Sequence, residues 1–356
     1  MKKQFREYYP LTKKEIKEIW KDGVFILDAN ALLGLYRYSE KTSKELLKIL
    51  EKLKNKLWLP HQSALEFHRN RMKVIYEQKA AYKILQNIID AKSKTFLEGI
   101  ESVITRHPFI QNQAIVKKIQ NYISRVKKDI GKMEDNHPKL HFHDLILEQL
   151  DKLFDKNIGK PYKFEELEKL YAEGEKRYAH EIPPGYGDIL KDQEDKTHKK
   201  KFGDFIIWKQ TLEFAKAVKK PIIIITDERR KGDWWEEAKG RIICPRFEMI
   251  REMRDIAGVG FHMYSVSQFI LFAKSELNLT IEKDTLDEVK RQGENNKEVN
   301  VSDLISESDL VSALSTDKSI NYSLNLSDEI TSGIVDNKEE DLVNKPVKKP
   351  GKNRKT

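Results

Sequence analysis

The sequence has little cysteine, no long apolar runs and none of the glycine-rich loops that bind nucleotides. Its single cysteine, Cys244, cannot form an internal disulfide, which excludes a fold held together by such bridges. The longest apolar runs, such as 222–226 and 269–273, are far shorter than the roughly 20 residues of a membrane-spanning helix. No apolar segment follows the charged N-terminus, so we expect no secretory signal, no membrane association and a cytoplasmic location. Without Gly-x-x-x-x-Gly-Lys, Gly-x-Gly-x-x-Gly or Gly-x-Ser-x-Gly motifs, nucleotide hydrolysis, dinucleotide binding and serine esterase chemistry have no support.

Charge is plentiful but unevenly distributed along the chain. Lys and Arg exceed Asp and Glu by 9 overall and by 13 over residues 1–276, but are 4 fewer over residues 277–356. A basic body attracts polyanions such as nucleic acid, although a lysine-rich solvated surface explains the excess equally well. Tyr322 is the only aromatic residue after position 276, which predicts a polar, disordered tail over 277–356. The recurring Ser-Asp-Leu pattern in this tail is either a docking motif for a protein partner or regulator, or chance recurrence in low-complexity sequence.

Apolar periodicity divides the rest of the chain into an α/β pattern and a helical stretch. Residues 24–27 and 222–226 are continuous apolar runs, which are typical of strands buried on both faces. Short apolar strands that alternate with helices predict a three-layer α/β fold with a central parallel sheet. We therefore expect an α/β core formed by 1–69 and 180–276, a long α-helical insertion over 70–179, and the disordered C-terminal tail over 277–356.

Four carboxylates flank the predicted strands in a way that points to metal chemistry. Asp28 and Asp227 directly follow the two buried strands. Because open α/β sheets bind ligands beyond the carboxyl ends of their strands, both acids are expected in one crevice. Glu66 falls early in a predicted helix, and Asp204 opens a later one. Four acids in one crevice would repel each other without a cation, and ligands that are all oxygen suit Mg²⁺ or Mn²⁺.

Each of these acids also has an ordinary structural explanation when it is taken alone. Asp204 and Glu66 are first-turn helix acids, which the helix dipole favours. Asp28 and Asp227 are loop residues after strands, where Asp commonly forms turns. These separate explanations do not account for the occurrence of all four acids together, in this order along the chain.

The order of these elements resembles the PIN-like nuclease family. The family pattern is an apolar strand into Asp-x-Asn, a Glu early in a following helix, an Asp that opens a late helix, and a strand that ends in Thr-Asp. The large bacterial branch with a helical insertion adds a Pro-Pro-Gly-Tyr turn and an Asp-Trp-Trp motif. In this sequence the six elements are 25–30, 63–66, 203–208, 224–227, 183–186 and 233–235.

The resemblance implies metal-dependent hydrolysis of phosphodiester bonds, in RNA more often than in DNA, with Mg²⁺ or Mn²⁺ as the cofactor. In the two-metal account, bound ions activate a water and neutralise charge on the scissile phosphate. Family analogy also suggests a toxin or anti-phage defence role. The resemblance assigns catalytic and metal-binding roles to Asp28, Glu66, Asp204 and Asp227, with Asp233 as an alternative to Asp227. Asp188 is either a further ligand, if its turn folds over the crevice, or a surface loop acid.

Basic residues beside the acidic motifs are candidates for contacting substrate phosphates, although solvated loops would explain them too. Asn30 could hydrogen-bond Asp28 or a bound water, or it could cap the next helix. The candidates for substrate binding are Asn30, Lys199, Lys200, Lys201, Arg229, Arg230 and Lys231.

Two alternative functions stay open. A haloacid-dehalogenase-like phosphatase also places an Asp after a buried strand, but it needs a second Asp two positions on as a general acid, where this sequence has Asn30. A non-catalytic PIN-like module that binds RNA or a partner protein would keep the fold with vestigial acids. A metal-dependence assay on labelled RNA and DNA distinguishes these possibilities.

Overall fold

The computed structural model describes residues 1–295 except 108, 110–112, 139, 141–142, 188–198, 228–232 and 240. The described residues form two compact units: one contains Met1–Lys79 and the residues from Asn136 onward, and the other contains Ala80–Asp135. No helix among the described residues is long and apolar enough to cross a membrane. Several predicted features lie outside the described residues, namely Asp188, Arg229, Arg230, Lys231 and the predicted tail from 296 onward.

The first unit contains all the strands of the described chain, and the second is helical. In chain order the strands are β1 (Val24–Leu27), β2 (Leu57–Trp58), β3 (Ile222–Ile225), β4 (Trp235–Ala238), β5 (Arg241–Pro245) and β6 (Phe261–Tyr264). The α-helices of the described residues are α1 (Lys13–Asp22), α2 (Ala29–Gly34), α3 (Glu40–Lys52), α4 (His61–Arg106), α5 (Gln113–Asp135), α6 (Leu145–Phe154), α7 (Phe164–Ala179), α8 (Gly203–Val218), α9 (Phe247–Ala257), α10 (Val266–Glu276) and α11 (Lys283–Asn295).

Four parallel strands form the central sheet in the order β2-β1-β3-β6. Strands β1 and β3 pair along their whole length, from Val24 beside Ile222 to Leu27 beside Ile225. Every side chain of these two strands is buried, as continuous apolar runs require when helices cover both faces of a sheet. The predicted α/β class with a central parallel sheet is therefore confirmed. Strands β4 and β5 form a separate antiparallel pair.

Helices pack on both faces of the sheet because successive side chains along a strand point to opposite faces. Phe25 and Ile223 belong to a core cluster with residues of α2, α3 and α10. Ile26 and Ile224 belong to a different cluster, which includes Trp208 of α8 and residues of α9. The two clusters give the helix–sheet–helix arrangement of the predicted three-layer core.

The helical stretch between β2 and β3 is divided between the two units. Only α4 from Ala80 onward and α5 belong to the second unit. Helix α6 buries Leu150 and Phe154 in the cluster that contains Phe25 and Ile223. Helix α7 contributes Leu170 to a cluster with residues of α8. The predicted run of helices is confirmed, and α6 and α7 pack as part of the α/β unit.

The described structure continues past residue 277, into the segment whose composition predicts a disordered tail. Helix α11 packs against α3 and α10, and it is preceded by the buried Ile281. Val289 of this helix is 1% exposed and lies in the core cluster that contains Phe25. Glu288 accepts hydrogen bonds from the hydroxyl groups of Ser39 and Thr42, each at 2.7 Å. A few well-spaced apolar residues are enough to dock this helix, although the average composition around them is polar.

Candidate active site

The candidate site lies at the carboxyl ends of β1 and β3, the two central strands of the sheet. In the sheet, β1 has β2, the next strand of the chain, on one side and β3 on the other. The direction in which strands are added therefore reverses between β1 and β3. Open α/β sheets bind ligands in the crevice at such a point. Asp28 comes directly after β1, and Thr226 and Asp227 come directly after β3.

Asp28 caps the N-terminus of α2 and is only 4% exposed. Its Oδ1 accepts a hydrogen bond from the backbone N–H of Ala29 at 2.6 Å, and its Oδ2 accepts one from the hydroxyl of Thr226 at 3.0 Å. Burial, together with the negative charges of Asp204 and Glu66, raises the pKa of Asp28 to about 7. The three carboxylates are thus near enough for their charges to interact.

Glu66 and Asp204 are presented by the first turns of α4 and α8. Gln62, one turn before Glu66, donates a hydrogen bond to Glu66 Oε1 at 2.7 Å. A Cβ atom at Gly203 would lie 2.4 Å from the same oxygen, so a larger residue there would displace the carboxylate. Asp204 follows this glycine, and its Oδ2 accepts a hydrogen bond from the indole N–H of Trp234 at 3.0 Å. Close packing of α4 against the start of α8 therefore brings these two acids together.

Asp227 is buried and held by donors from two other elements. Its Oδ1 accepts a hydrogen bond from the backbone N–H of Val266, the first residue of α10, at 3.0 Å. Its Oδ2 accepts one from the hydroxyl of Tyr38 at 3.2 Å. Burial and the charge of Asp227 raise the pKa of Tyr38, which keeps the hydroxyl protonated as a donor. Asp227 therefore fixes the end of β3 to the start of α10 and to the segment before α3.

Comparison with known proteins identifies the family of this chain. A family model described as "PIN like domain" matches residues 24–249, which is more than half of the chain. The chain belongs to the PIN-like domain family. Neither the curated proteins nor the solved structures contain a match. The matched range includes β1, the start of α4, the start of α8 and β3, and hence all four acids that the sequence order singled out.

Asp233 has a different environment from the other acids of this PIN-like domain. It is 1% exposed, and it accepts hydrogen bonds from the backbone N–H groups of Gly185 and, at 3.3 Å, Gly187. Gly185 has a φ of +96°, a backbone conformation that favours glycine. Asp233 thus holds the Pro-Pro-Gly-Tyr turn, while the adjacent Trp234 contacts Asp204. The Pro-Pro-Gly-Tyr and Asp-Trp-Trp motifs are therefore in direct contact.

The described lysines before Asp204 differ in their surroundings. Lys201 is 7% exposed and forms an ion pair with Glu175 at 2.9 Å. Lys199 forms an ion pair with Glu168 at 2.7 Å, and both Lys199 and Lys200 are exposed to solvent. Asn30 is also exposed, in the first turn of α2. Because Asp28 caps this helix, the suggestion that Asn30 does so is wrong.

The donor set of the PIN-like site agrees in kind with a hard divalent cation. Asp28, Glu66 and Asp204 supply only carboxylate oxygens, the ligands that Mg²⁺ and Mn²⁺ prefer. The charges of the half-buried Glu66 and Asp204 act on the buried Asp28, and a cation would relieve this repulsion. In the present positions of the side chains, however, no three carboxylate, imidazole or thiol groups of the described residues are grouped closely enough to hold a metal ion.

Sequence reasoning missed the residues that support the acids. Thr226, Tyr38 and Trp234 each donate a hydrogen bond to one of the carboxylates. Thr226 stands beside Asp227 in the family pattern, so its position near the site could have been inferred. Tyr38 carries no such local signal, because its partner is 189 positions away in the chain.

Proposed function

We propose that this PIN-like protein is a metal-dependent nuclease that hydrolyses phosphodiester bonds, with RNA favoured over DNA. The proposal is carried by the electrostatic interaction of Asp28, Glu66 and Asp204, which come from three separate segments, at the carboxyl end of the central sheet. Family membership supports the same conclusion, since a nuclease is the activity that a PIN-like domain suggests. A toxin or anti-phage defence role is a further proposal from family analogy.

Asp28, Glu66 and Asp204 would hold Mg²⁺ or Mn²⁺ directly or through water, and Asp227 would complete the set. When bound, the cation supplies an activated water and neutralises charge on the scissile phosphate. The residues of the chain orient the ligands: Thr226 fixes the Asp28 carboxylate, and Trp234 fixes that of Asp204. Such outer partners tune metal affinity in most metal sites.

The contacts to substrate phosphates are proposed for basic side chains near the acids. Lys199 and Lys200 are both exposed and close in sequence to Asp204, and we propose that their side chains reach a flanking phosphate. Lys201 would have to give up its ion pair with Glu175 first. We retain Arg229, Arg230 and Lys231 as proposed phosphate contacts and Asp188 as a proposed further ligand, on sequence alone.

The test combines two variants with two measurements. Asp28→Asn and Asp204→Asn should each lower the cleavage rate of labelled single-stranded RNA by about 100-fold or more, because each removes one anionic ligand. Both should also lose the rise in melting temperature that Mn²⁺ gives the wild type. Without metal, Asp28→Asn should melt at or above the wild-type temperature, because the change relieves repulsion among carboxylates.

Asp151→Asn is the matched control, since it removes an exposed carboxylate from α6. It should match the wild type in both measurements. Metal-dependent cleavage at the wild-type rate by both site variants would refute the assignment of catalysis to Asp28 and Asp204. A wild type that binds RNA but cleaves neither RNA nor DNA in Mn²⁺ would instead favour the non-catalytic module.

A further inference from the structure

The second compact unit, Ala80–Asp135, has a charged surface that is separate in sequence from the four acids. Its helix α5 is amphipathic, with Val116 and Ile130 buried on one side. The opposite side carries two adjacent rows of residues at helical spacing. These rows contain exposed residues that we call the α5 basic face: Lys117, Lys118, Tyr122, Arg125 and Lys128.

The four cations of the α5 basic face are not neutralised by neighbours. Within the described part of the chain, none of them forms an ion pair or a side-chain hydrogen bond. Lys127 is half-buried on the apolar side of the helix, where its ammonium contacts both carboxylate oxygens of Asp90 at 2.7 Å. The exposed Asp129 lies on the same side as Arg125, one turn further along, but its carboxylate pairs with Lys132 at 3.0 Å. The face therefore keeps its positive charge over about 16 Å of helix, a length that suits a polyanion.

Tyr122 lies among these cations and is 70% exposed. It follows Lys118 by one helical turn and precedes Arg125 by one, so the three side chains lie on the same side of α5. Its ring contacts no other aromatic ring or cation of the described residues. An exposed ring flanked by cations can stack on an unpaired base while the cations contact the phosphates on either side.

We infer that the α5 basic face binds single-stranded nucleic acid. A base within a duplex is already stacked on both sides, so duplex nucleic acid would leave the Tyr122 ring without a partner. An acidic protein segment would satisfy the cations but would offer nothing for the ring to stack on. That this strand is the substrate rests on the proposed function. The inference adds the surface that holds the strand.

Binding is measured on the full chain carrying Asp28→Asn, so that cleavage does not consume the probe. The probe is a fluorescent single-stranded RNA of about 20 nucleotides, followed by anisotropy over a range of KCl concentrations. Replacing all four cations by Gln should weaken binding by about 10-fold or more and reduce the slope of log K against log salt by about 3. Tyr122→Leu should weaken binding by about 5-fold or more with an unchanged slope, because it removes stacking but no charge.

A control variant removes four exposed lysines from the first unit, and it should bind within about 2-fold of the parent. Its substitutions are Lys13→Gln, Lys17→Gln, Lys48→Gln and Lys52→Gln. An equal loss in this control, an unchanged affinity of either α5 variant, or tighter binding of duplex RNA or of a polyglutamate peptide would each overturn the inference. Should the fourfold variant fail to fold by circular dichroism, Lys118→Gln with Arg125→Gln and the Tyr122→Leu variant decide the matter.

The same measurements separate this inference from the proposed function. A wild type that binds single strands through α5 but cleaves none of them would refute the nuclease and leave the binding face. A wild type that cleaves RNA, while the α5 variants bind as the parent does, would refute the binding face and leave the nuclease.

Discussion

Individual residues around the candidate site differ in how their carboxylates are supported. Asp227 and Asp233 each accept hydrogen bonds from two backbone or side-chain donors that connect distant segments. Substitutions at these two positions would therefore mix a loss of stability with any loss of activity. Asp204 accepts a bond from the Trp234 side chain, and Asp28 has one local and one distant donor. Asp28 and Asp204 are for this reason the cleaner positions for testing chemistry.

Tyr38→Phe should lower the free energy of unfolding by about 1–2 kcal/mol, because the buried Asp227 carboxylate loses a hydrogen-bond donor. Urea unfolding at neutral pH measures the difference. Tyr122→Phe is the control, since that hydroxyl is exposed on α5 and its loss should change stability by less than about 0.5 kcal/mol. Equal stability of Tyr38→Phe and the wild type would mean that the Tyr38–Asp227 bond contributes nothing.

His262 makes the stability of the protein depend on pH. Burial lowers the pKa of His262 to about 4, so the folded state favours the neutral ring. The stability that the protein keeps by holding this ring neutral is fully present above the unfolded pKa of about 6.5 and is lost as pH falls towards 4. Between pH 7.5 and pH 5 we expect the free energy of unfolding of the wild type to fall by about 2 kcal/mol because of this residue. His262→Gln should lose that much less over the same interval, whereas His180→Gln, at an exposed position after α7, should follow the wild type.

At the scale of secondary-structure elements, α11 packs against α3 and α10 and should contribute to the stability of the fold. A chain that ends at Glu276 lacks the buried Ile281 and Val289, and we expect it to unfold at least about 2 kcal/mol more easily. A chain that ends at Asn295 keeps this helix and should melt with the full-length protein, because the composition beyond it is polar. Comparison of the two melting curves tests both expectations. Identical curves for the shorter chain and the full chain would show that α11 adds no stability.

The turn before α8 gives a second prediction at this scale. A Cβ atom on Gly185 would lie 2.2 Å from the hydroxyl oxygen of Tyr178, and the φ of +96° disfavours any side chain. Gly185→Ala should therefore destabilise the protein by about 1–3 kcal/mol. Gly131→Ala is the matched control, because Gly131 lies within α5 with open space around it and should gain about 0.5–1 kcal/mol. A destabilisation of the same size in both variants would contradict this account of the turn.

Across the whole molecule, the features that could be predicted from sequence are those with a local signature. Strands β1 and β3 are recognisable because burial on both faces demands a continuous apolar run, and the acids after them follow from that assignment. The packing of α6 and α7 with the α/β unit, and of α11 with α3, depends on contacts between residues far apart in the chain. The hydrogen bonds of Tyr38 and Trp234 to the candidate acids were not predicted, because they too join residues far apart in the chain.

The position of β1 at the centre of the sheet has a consequence for the time course of synthesis. This strand is made early, but its neighbour β3 ends about 200 residues later, which at 5–20 residues per second is a delay of about 10–40 s. The helices of the second unit rely on contacts closer in sequence and can form within that interval. One edge of an entirely apolar strand meanwhile has no permanent partner, and such edges promote aggregation. The interval before β3 has been made is therefore the time at which the growing chain is most exposed to aggregation through β1.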